Sequence, residues 1–298
     1  MSSNGLRFVS AASVSLEEYA ALFTASFGGY RYAITFDAER LARRVRQEHH
    51  DLRHSLVAYA GAKPVGVAAL AVRGDAGWVG GFGVVPEERG RGRGRELMSA
   101  LLERARACGL RRLSLEVLAS NTAARALYER AGMRVARDLL ILERPAATTQ
   151  DAAADGTTAE EARAAPRSPN DGPTSLLTDA APAELLGHFA RLHTEPPAWQ
   201  RDLASLLVKS RLRGLRLGDD AARTEAYALV SHEADGSTYL VDLAAAGDAA
   251  AARICDAVTR LPGTLKIVNE PEHGPFVRPL LARGFVEADR QHEMRLDL

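Results

Sequence analysis

Apolar and polar positions recur along the chain in patterns that outline its elements. Leu6 to Ser10 predicts a short strand, and Ser15-Leu16-Glu17-Glu18 is a capping box opening a helix to Phe27. Asp37 to His50 predicts a second helix, with Leu41 and Val45 one turn apart. Apolar runs follow at Ser55–Tyr59, Pro64–Val72 and Trp78–Val85, divided by the turns Ala60-Gly61-Ala62-Lys63 and Gly74-Asp75-Ala76-Gly77. They predict an antiparallel meander. The next helix, to Cys108, carries Leu97, Leu101, Ala105 and Cys108 on one face. Leu113–Leu118 predicts a strand, Asn121–Arg130 a helix stopped by Gly132, and Met133–Glu143 the last strands of this unit.

From Arg144 to Thr174 no apolar period is sustained, and Ala, Thr, Asp and Pro dominate; this reads as a flexible linker. Ser175–Leu298 then repeats the first order of elements in weaker form. It predicts helices at Ala183–Leu192 and Trp199–Arg213 and a hairpin of Thr224–Ser231 with Ser237–Leu243 around Asp235-Gly236. A helix at Ala249–Leu261, a strand at Leu265–Val268, a helix at Phe276–Arg283 and a closing strand at Glu293–Leu296 follow. The expected fold class is α/β (α+β): two tandem domains, residues 1–145 and 175–298, joined by 146–174. Each is a mixed, mostly antiparallel sheet flanked by helices.

Composition narrows this picture only a little. A length of 298 residues suits two domains, and a hydrophobic fraction of 46% lets each build a core. The net charge of zero argues against a general nucleic-acid binder. Cys108 and Cys255 lack any Cys-x-x-Cys partner, which argues against a disulfide framework or zinc ribbon and fits a reducing cytoplasm. Cys108 reads as a small core residue. No apolar run is long enough for a bilayer, and MSSNGLRF lacks a signal-peptide pattern. His50 and His54 stand at i, i+4, but Asp51 follows where a zincin has Glu, so the pair reads as helix-end polarity and no metal is expected.

The chemistry concentrates in Gly80–Leu102, GGFGVVPEERGRGRGRELMSALL. A strand ends at Pro86, a Gly/Arg turn follows, and a helix begins. Glycines permit close approach of the backbone to a ligand. A helix start leaves several N–H groups unpaired with a partial positive charge behind them, an arrangement suited to phosphate. Arg89, Arg91, Arg93 and Arg95 add full charges. No Gly-Lys-Ser/Thr follows, which excludes a P-loop, and Gly90, Gly92 and Gly94 alternate, unlike a dinucleotide fingerprint. An RGG-type RNA segment is the competing reading; its test would be salt-dependent RNA affinity.

Arg89-x-x-Gly92-x-Gly94 after Val-Pro-Glu closely resembles motif A of the GNAT acetyltransferases. LSLEVLASNTAARALYERAGM, from Leu113 to Met133, resembles that family's strand, Asn and Tyr-bearing helix. The resemblance implies two tandem GNAT-like domains, with acetyl-CoA as co-substrate and no metal. It implies that Phe82, Gly83 and Val84 flank the pantetheine and that an N–H of Val84 or Val85 supports the carbonyl oxygen. Arg89, Gly90, Arg91, Gly92, Arg93, Gly94 and Arg95 would hold the diphosphate. Asn121 falls on the CoA-contacting Asn and Tyr128 on the general acid. The stretch Leu115-Glu116-Val117 to Tyr128 is similar to the ribosomal-protein alanine N-acetyltransferases, where the aligned Glu is a proposed base; Glu116 must then face the cleft. Tyr30, Arg31 and Tyr32 lie where the family builds its acceptor site.

The second half has Ala244-Ala245-Ala246-Gly247-Asp248 in place of the Arg-Gly turn, and Leu280 in place of Tyr128. It reads as a repeat without a competent cofactor site. The expected activity is acetyl transfer to a primary amine of a small molecule, by a monomer or homodimer without nucleic-acid or membrane partner. The alternatives are an N-terminal peptide acetyltransferase and a non-catalytic acyl-CoA sensor.

Overall fold

The computed structural model describes residues 5–32, 34–146, 177–218 and 223–298; from residue 147 the predicted linker lies outside the described residues. The chain divides into two compact units, Met1–Asp138 with Gln291–Leu298, and Leu139–Arg290.

The first unit runs β1 (Arg7–Ser10), α1 (Leu16–Ser26), α2 (Ala38–Glu48), β2 (Leu56–Ala60), β3 (Lys63–Arg73) and β4 (Ala76–Val84). It continues with α3 (Arg93–Ala107), β5 (Arg112–Leu118), α4 (Thr122–Arg130) and the start of β6 (Arg134–Arg144). Local chemistry sets these limits as the sequence predicts. Ser15 and Glu18 form the reciprocal capping box of α1. Asp37 caps α2, and His49 ends it in the left-handed conformation at φ 60°. Strands β1 to β5 lie in sequence order, antiparallel except for β4 and β5. Leu113, Leu115 and Val117 of β5 share a core with Leu97, Met98 and Leu101 of α3. Facing α1, the strand β4 has glycines because the helix comes close. A Cβ on Gly81 would run into the ring of Phe23, and one on Gly83 would sit 2.8 Å from the Ser26 carbonyl oxygen.

The second unit pairs residues 139–144 of β6 with β11 (Leu265–Pro271). Beyond it lie β10 (Thr238–Ala245), β9 (Ala226–His232), β8 (Arg213–Leu217) and β7 (Thr178–Ala180). Here too a single pair, β10 with β11, is parallel.

Three expectations are corrected. The helix predicted over Trp199–Arg213 is a 3-10 turn at Trp199–Arg201, a short helix at Leu203–Leu207, and the strand β8. The strand β8 takes over at Arg213, and the next residue, Gly214, lies so close to the Ala180 carbonyl that no Cβ fits. The strand predicted over Leu265–Val268 runs on to Pro271, with Asn269 inside it at φ 61°, where the register shifts against β6. Most consequentially, the domain boundaries are not those of the repeats. β6 leaves the first unit after Asp138, and β12 (Val286–Asp297) enters it after Arg290, pairing Gln291–Asp297 antiparallel with Leu118–Arg112 of β5. Met294 of β12 is fully buried in the first unit's core.

The last strand is therefore part of the N-terminal unit's stability. Met294→Ala should cost about 2–4 kcal/mol, read as a lowered urea midpoint, as for other large-to-small core changes. An unchanged midpoint would contradict this placement.

Candidate active site

The site grows from the parting of two parallel strands. β4 and β5 pair only at Ala76↔Arg112, Gly77↔Leu113 and Trp78↔Ser114, yet β4 runs on to Val84 and β5 to Leu118. Beyond Trp78 an opening separates them. The ladder with β3 decides which amides face it. Val85 N–H donates to the Val65 carbonyl at 2.9 Å, and the register places Val67 opposite Gly83 and Gly66 opposite Val84. Because antiparallel pairs alternate, Gly83 and Val85 turn their groups toward β3, while Phe82 and Val84 turn theirs toward the opening. Of the two amides expected to support an oxyanion, Val84 is thus placed for it; Val85 is corrected, its N–H being committed to Val65.

At the far end of β4 the Gly/Arg turn leads into α3. Gly90 and Gly92 have φ of 75° and 81°, and a Cβ on either would meet nothing within 4 Å. Gly92 is the N-cap without any side-chain cap, and the first intrahelical bonds run from Arg95 and Glu96 back to its carbonyl. The helix start therefore aims the Arg93 and Gly94 amides out of its end. An uncapped helix start in open space fits a diphosphate.

The four arginines divide in role. Arg91 and Arg95 are exposed at the turn. Arg89 is not available as the sequence suggests: its Nε donates to the Val84 carbonyl at 2.9 Å, and its Nη2 to the carbonyls of Ser26 at 3.0 Å and Gly28 at 2.9 Å. It ties the end of α1 to the end of β4. Arg93 lies against Glu88 at 3.6 Å and Glu96 at 3.4 Å. These two guanidinium groups hold the turn; the expectation that all four grip phosphate is corrected.

Tyr128, on α4, packs edge-on against Phe82 at 5.9 Å and is 6% exposed. Burial pushes its phenol well above its usual range, and the nearby Tyr30 phenol adds to this, so the group stays protonated. Asn121 caps α4 through Oδ1, which accepts from Ala124 N–H at 3.2 Å. Tyr30 is half-buried and edge-on to Phe27 at 5.5 Å, whereas Arg31 and Tyr32 are exposed.

Glu116 lies on the opposite face of β5 from Leu115 and Val117. Its Oε2 accepts from Trp78 Nε1 at 2.7 Å. Sequence reasoning missed three neighbours. Glu293 of β12 stands directly across the ladder from Glu116, held by Arg137 at 2.6 Å and Arg295 at 3.0 Å. Trp78 is 2% exposed, and His50, read from sequence as helix-end polarity, is buried beside it with ring centres 5.8 Å apart. His50 Nε2 lies 3.2 Å from Glu48, which also takes Arg44 Nε at 2.6 Å. Burial works against the charge on Glu48, but Arg44 and His50 outweigh it and hold the carboxyl at about 2. Burial likewise lowers the His50 imidazole, against the pull of Glu48. Only the run of small residues at Gly80-Gly81 could have hinted at the crowding: a Cβ on Gly80 would strike both His50 and Trp78.

In the second unit β10 and β11 also part, after Thr238↔Leu265 and Tyr239↔Lys266. There the space holds side chains. Arg201 donates to Glu270 at 2.5 Å and to Asp242 at 3.4 Å, and Tyr227 donates to Asp242 at 2.9 Å. Leu280 is in the core, and the turn before Asp248 offers one glycine, Gly247.

Residues 16–133 match the sequence profile of the Acetyltransferase (GNAT) family. That stretch, within the first unit, belongs to the GNAT acetyltransferase superfamily. Over 98% of its length the chain is similar to the tandem GNAT protein from the clavulanic acid biosynthesis pathway, at TM-score 0.65 and 16% identity, covering 98% of that chain. It is also similar over 98% to a GCN5-related N-acetyltransferase from Sphaerobacter thermophilus, at TM-score 0.67 and 17% identity, covering 95% of that chain. These likenesses give the fold, two GNAT units in tandem. A stretch of 53 residues is 43% identical to the uncharacterized N-acetyltransferase YycN of Bacillus subtilis (strain 168), so the match spans 18% of this chain and 34% of that protein. Among the described residues no helix is long and apolar enough to cross a membrane, and no group of three metal-ligating side chains occurs.

Two measurements follow from this GNAT site. Gly92→Asp should lower the melting temperature of the free protein only modestly, since the left-handed backbone strains an L residue there but its side chain meets open space. It should abolish stabilisation by CoA; retained stabilisation would exclude the turn as the anion site. For Glu48, ordinarily 4.5 and here about 2, the unfolded chain binds a proton between those values that the folded chain does not. Stability present above pH 4.5 is then lost on acidification through that window, by up to about 3 kcal/mol. Urea midpoints from about pH 6 to about pH 3 should fall more steeply for the wild type than for Glu48→Gln.

Proposed function

We propose that the first unit transfers an acetyl group from acetyl-CoA to a primary amine of a small molecule. The observation that carries this reading is the opening between β4 and β5, with the Phe82 and Val84 amides on one wall and the uncapped start of α3 at its end. When bound, acetyl-CoA supplies the activated acyl carbon as a thioester.

The chain's residues divide the remaining work. Arg93 and Gly94 amides, with Arg91 and Arg95, hold the diphosphate; Gly90 and Gly92 shape the turn. Phe82 and Val84 receive the pantetheine arm by backbone pairing, alongside Gly83. Val84 N–H stabilises the carbonyl oxygen as negative charge develops there. As the C–N bond forms and the C–S bond breaks, Glu116 takes a proton from the amine nitrogen. Tyr128 donates its phenolic proton to the departing sulfur, and both groups are restored through solvent. Burial of Tyr128 supports its role, since it keeps the phenol protonated until a thiolate appears. The acceptor is received by the Phe27–Tyr32 turn, which Arg89 clasps to the end of β4. Tyr30, half-buried near Tyr128, lines the inner side, and Arg31 and Tyr32 the rim.

Thiol release from acetyl-CoA, screened against small amines and N-terminal peptides, tests the reaction and its acceptor class. Turnover confined to peptides would replace the small-molecule reading. With the best amine, Tyr128→Phe and Glu116→Gln should each lower kcat about 100-fold or more while the KM for acetyl-CoA stays within a few-fold. Undiminished turnover in either variant removes that residue's role.

A further inference from the structure

Trp78 stands at the last paired position before β4 and β5 part, opposite Ser114. Its ring is almost wholly buried, and Gly80 is the residue whose missing side chain leaves room for it and for His50. A ring so enclosed cannot change rotamer without displacing its neighbours. Its one polar atom, Nε1, is aimed at Glu116 Oε2 at 2.7 Å.

The surroundings of Glu116 make that contact consequential. From β12, Glu293 faces it across the ladder, with its charge taken up by Arg137 and Arg295. On the far side of Trp78, His50 lies against its ring and pairs with Glu48, which Arg44 also holds. The neighbours of Glu116 on the same face of β5 are Ser114 and Leu118, neither of which titrates in this range. Trp78 is a neutral donor to Glu116, and an indole N–H can only donate.

We propose that Trp78 is a positioning residue for the acetyl transfer: its indole N–H pins one oxygen of the Glu116 carboxylate and so sets the orientation and basicity of the group that takes the amine's proton. A donated hydrogen bond favours the ionised carboxylate over the acid. Removing it should make Glu116 harder to ionise, so that the base is lost at a higher pH. The inference rests on the reading of Glu116 as base.

The chain has two tryptophans, Trp78 and Trp199, so the full-length protein labelled with 15N-tryptophan gives two indole N–H resonances. Trp199→Phe assigns them. The Trp78 resonance should titrate with pH as Glu116 protonates, and the titration should vanish in Glu116→Gln; a resonance that is flat in the wild type, or still titrates in Glu116→Gln, overturns the proposal. This arm uses the native ring and stands even if a Trp78 variant fails to fold. In Trp78→Phe, the acid limb of the kcat profile with the best screened amine should move to higher pH, with kcat down about fivefold or more and the KM for acetyl-CoA unchanged. An acid limb that stays in place while Glu116→Gln is inactive defeats the role of Trp78 alone. Full activity in Glu116→Gln defeats the base itself, and the proposal with it.

Discussion

The parting of β4 from β5 after Trp78 is the constraint on which the rest of the first unit depends. Parallel strands normally stay paired, because a strand edge without partners leaves backbone donors and acceptors to be satisfied elsewhere. Each strand here is held by its other neighbour: β4 by the whole length of β3, and β5 by the C-terminal strand β12. With both outer edges secured, the inner edges are free to bind something else. The helix α1 fits against β4 through Gly81 and Gly83, and Arg89 locks its end to Val84. The opening is thus a rigid feature of the sheet and not a gap between flexible loops.

Electrostatics follow from the same arrangement. The site gathers its positive potential from backbone amides and the start of α3, with Arg91 and Arg95 at the surface. Arg89 and Arg93 are used as internal struts. On the other face of β5 the charges are packed in partnered sets: Arg44 with Glu48 and His50, and Glu293 with Arg137 and Arg295. Such pairing lets several ionisable groups be buried near one another without an uncompensated charge. Glu116 faces the second of these sets across the ladder, with a neutral donor at one oxygen.

The second unit shows what becomes of this geometry when the ligand-facing chemistry is absent. Its parallel pair parts in the same way, but Arg201, Asp242, Glu270 and Tyr227 fill the space with their own hydrogen bonds. Burial raises the carboxyl of Glu270 above its usual range, against the opposing pull of Arg201. A buried cluster of paired side chains lies there, one of which, Arg201, also donates to the Asn269 carbonyl of β11. The fold is repeated, and the chemistry around its parting strands is not.

The elements of the first unit, the turn glycines, the capping box at Ser15 and the helix starts at Asp37 and Asn121 were all legible in the sequence. Those features depend on period, on φ > 0 and on side chains within one helical turn, so a short window carries them. What the window could not carry were relations across the sheet. Trp78 and Glu116 are 38 residues apart, and their hydrogen bond exists only because β4 and β5 share a register. Glu293 reaches Glu116 from the far end of the chain, and β6 and β12 change units, because strand pairing is decided by which edge is open and not by which repeat a strand came from. Even the arginines misled: composition made all four look like phosphate ligands, and only tertiary contacts turned Arg89 and Arg93 inward.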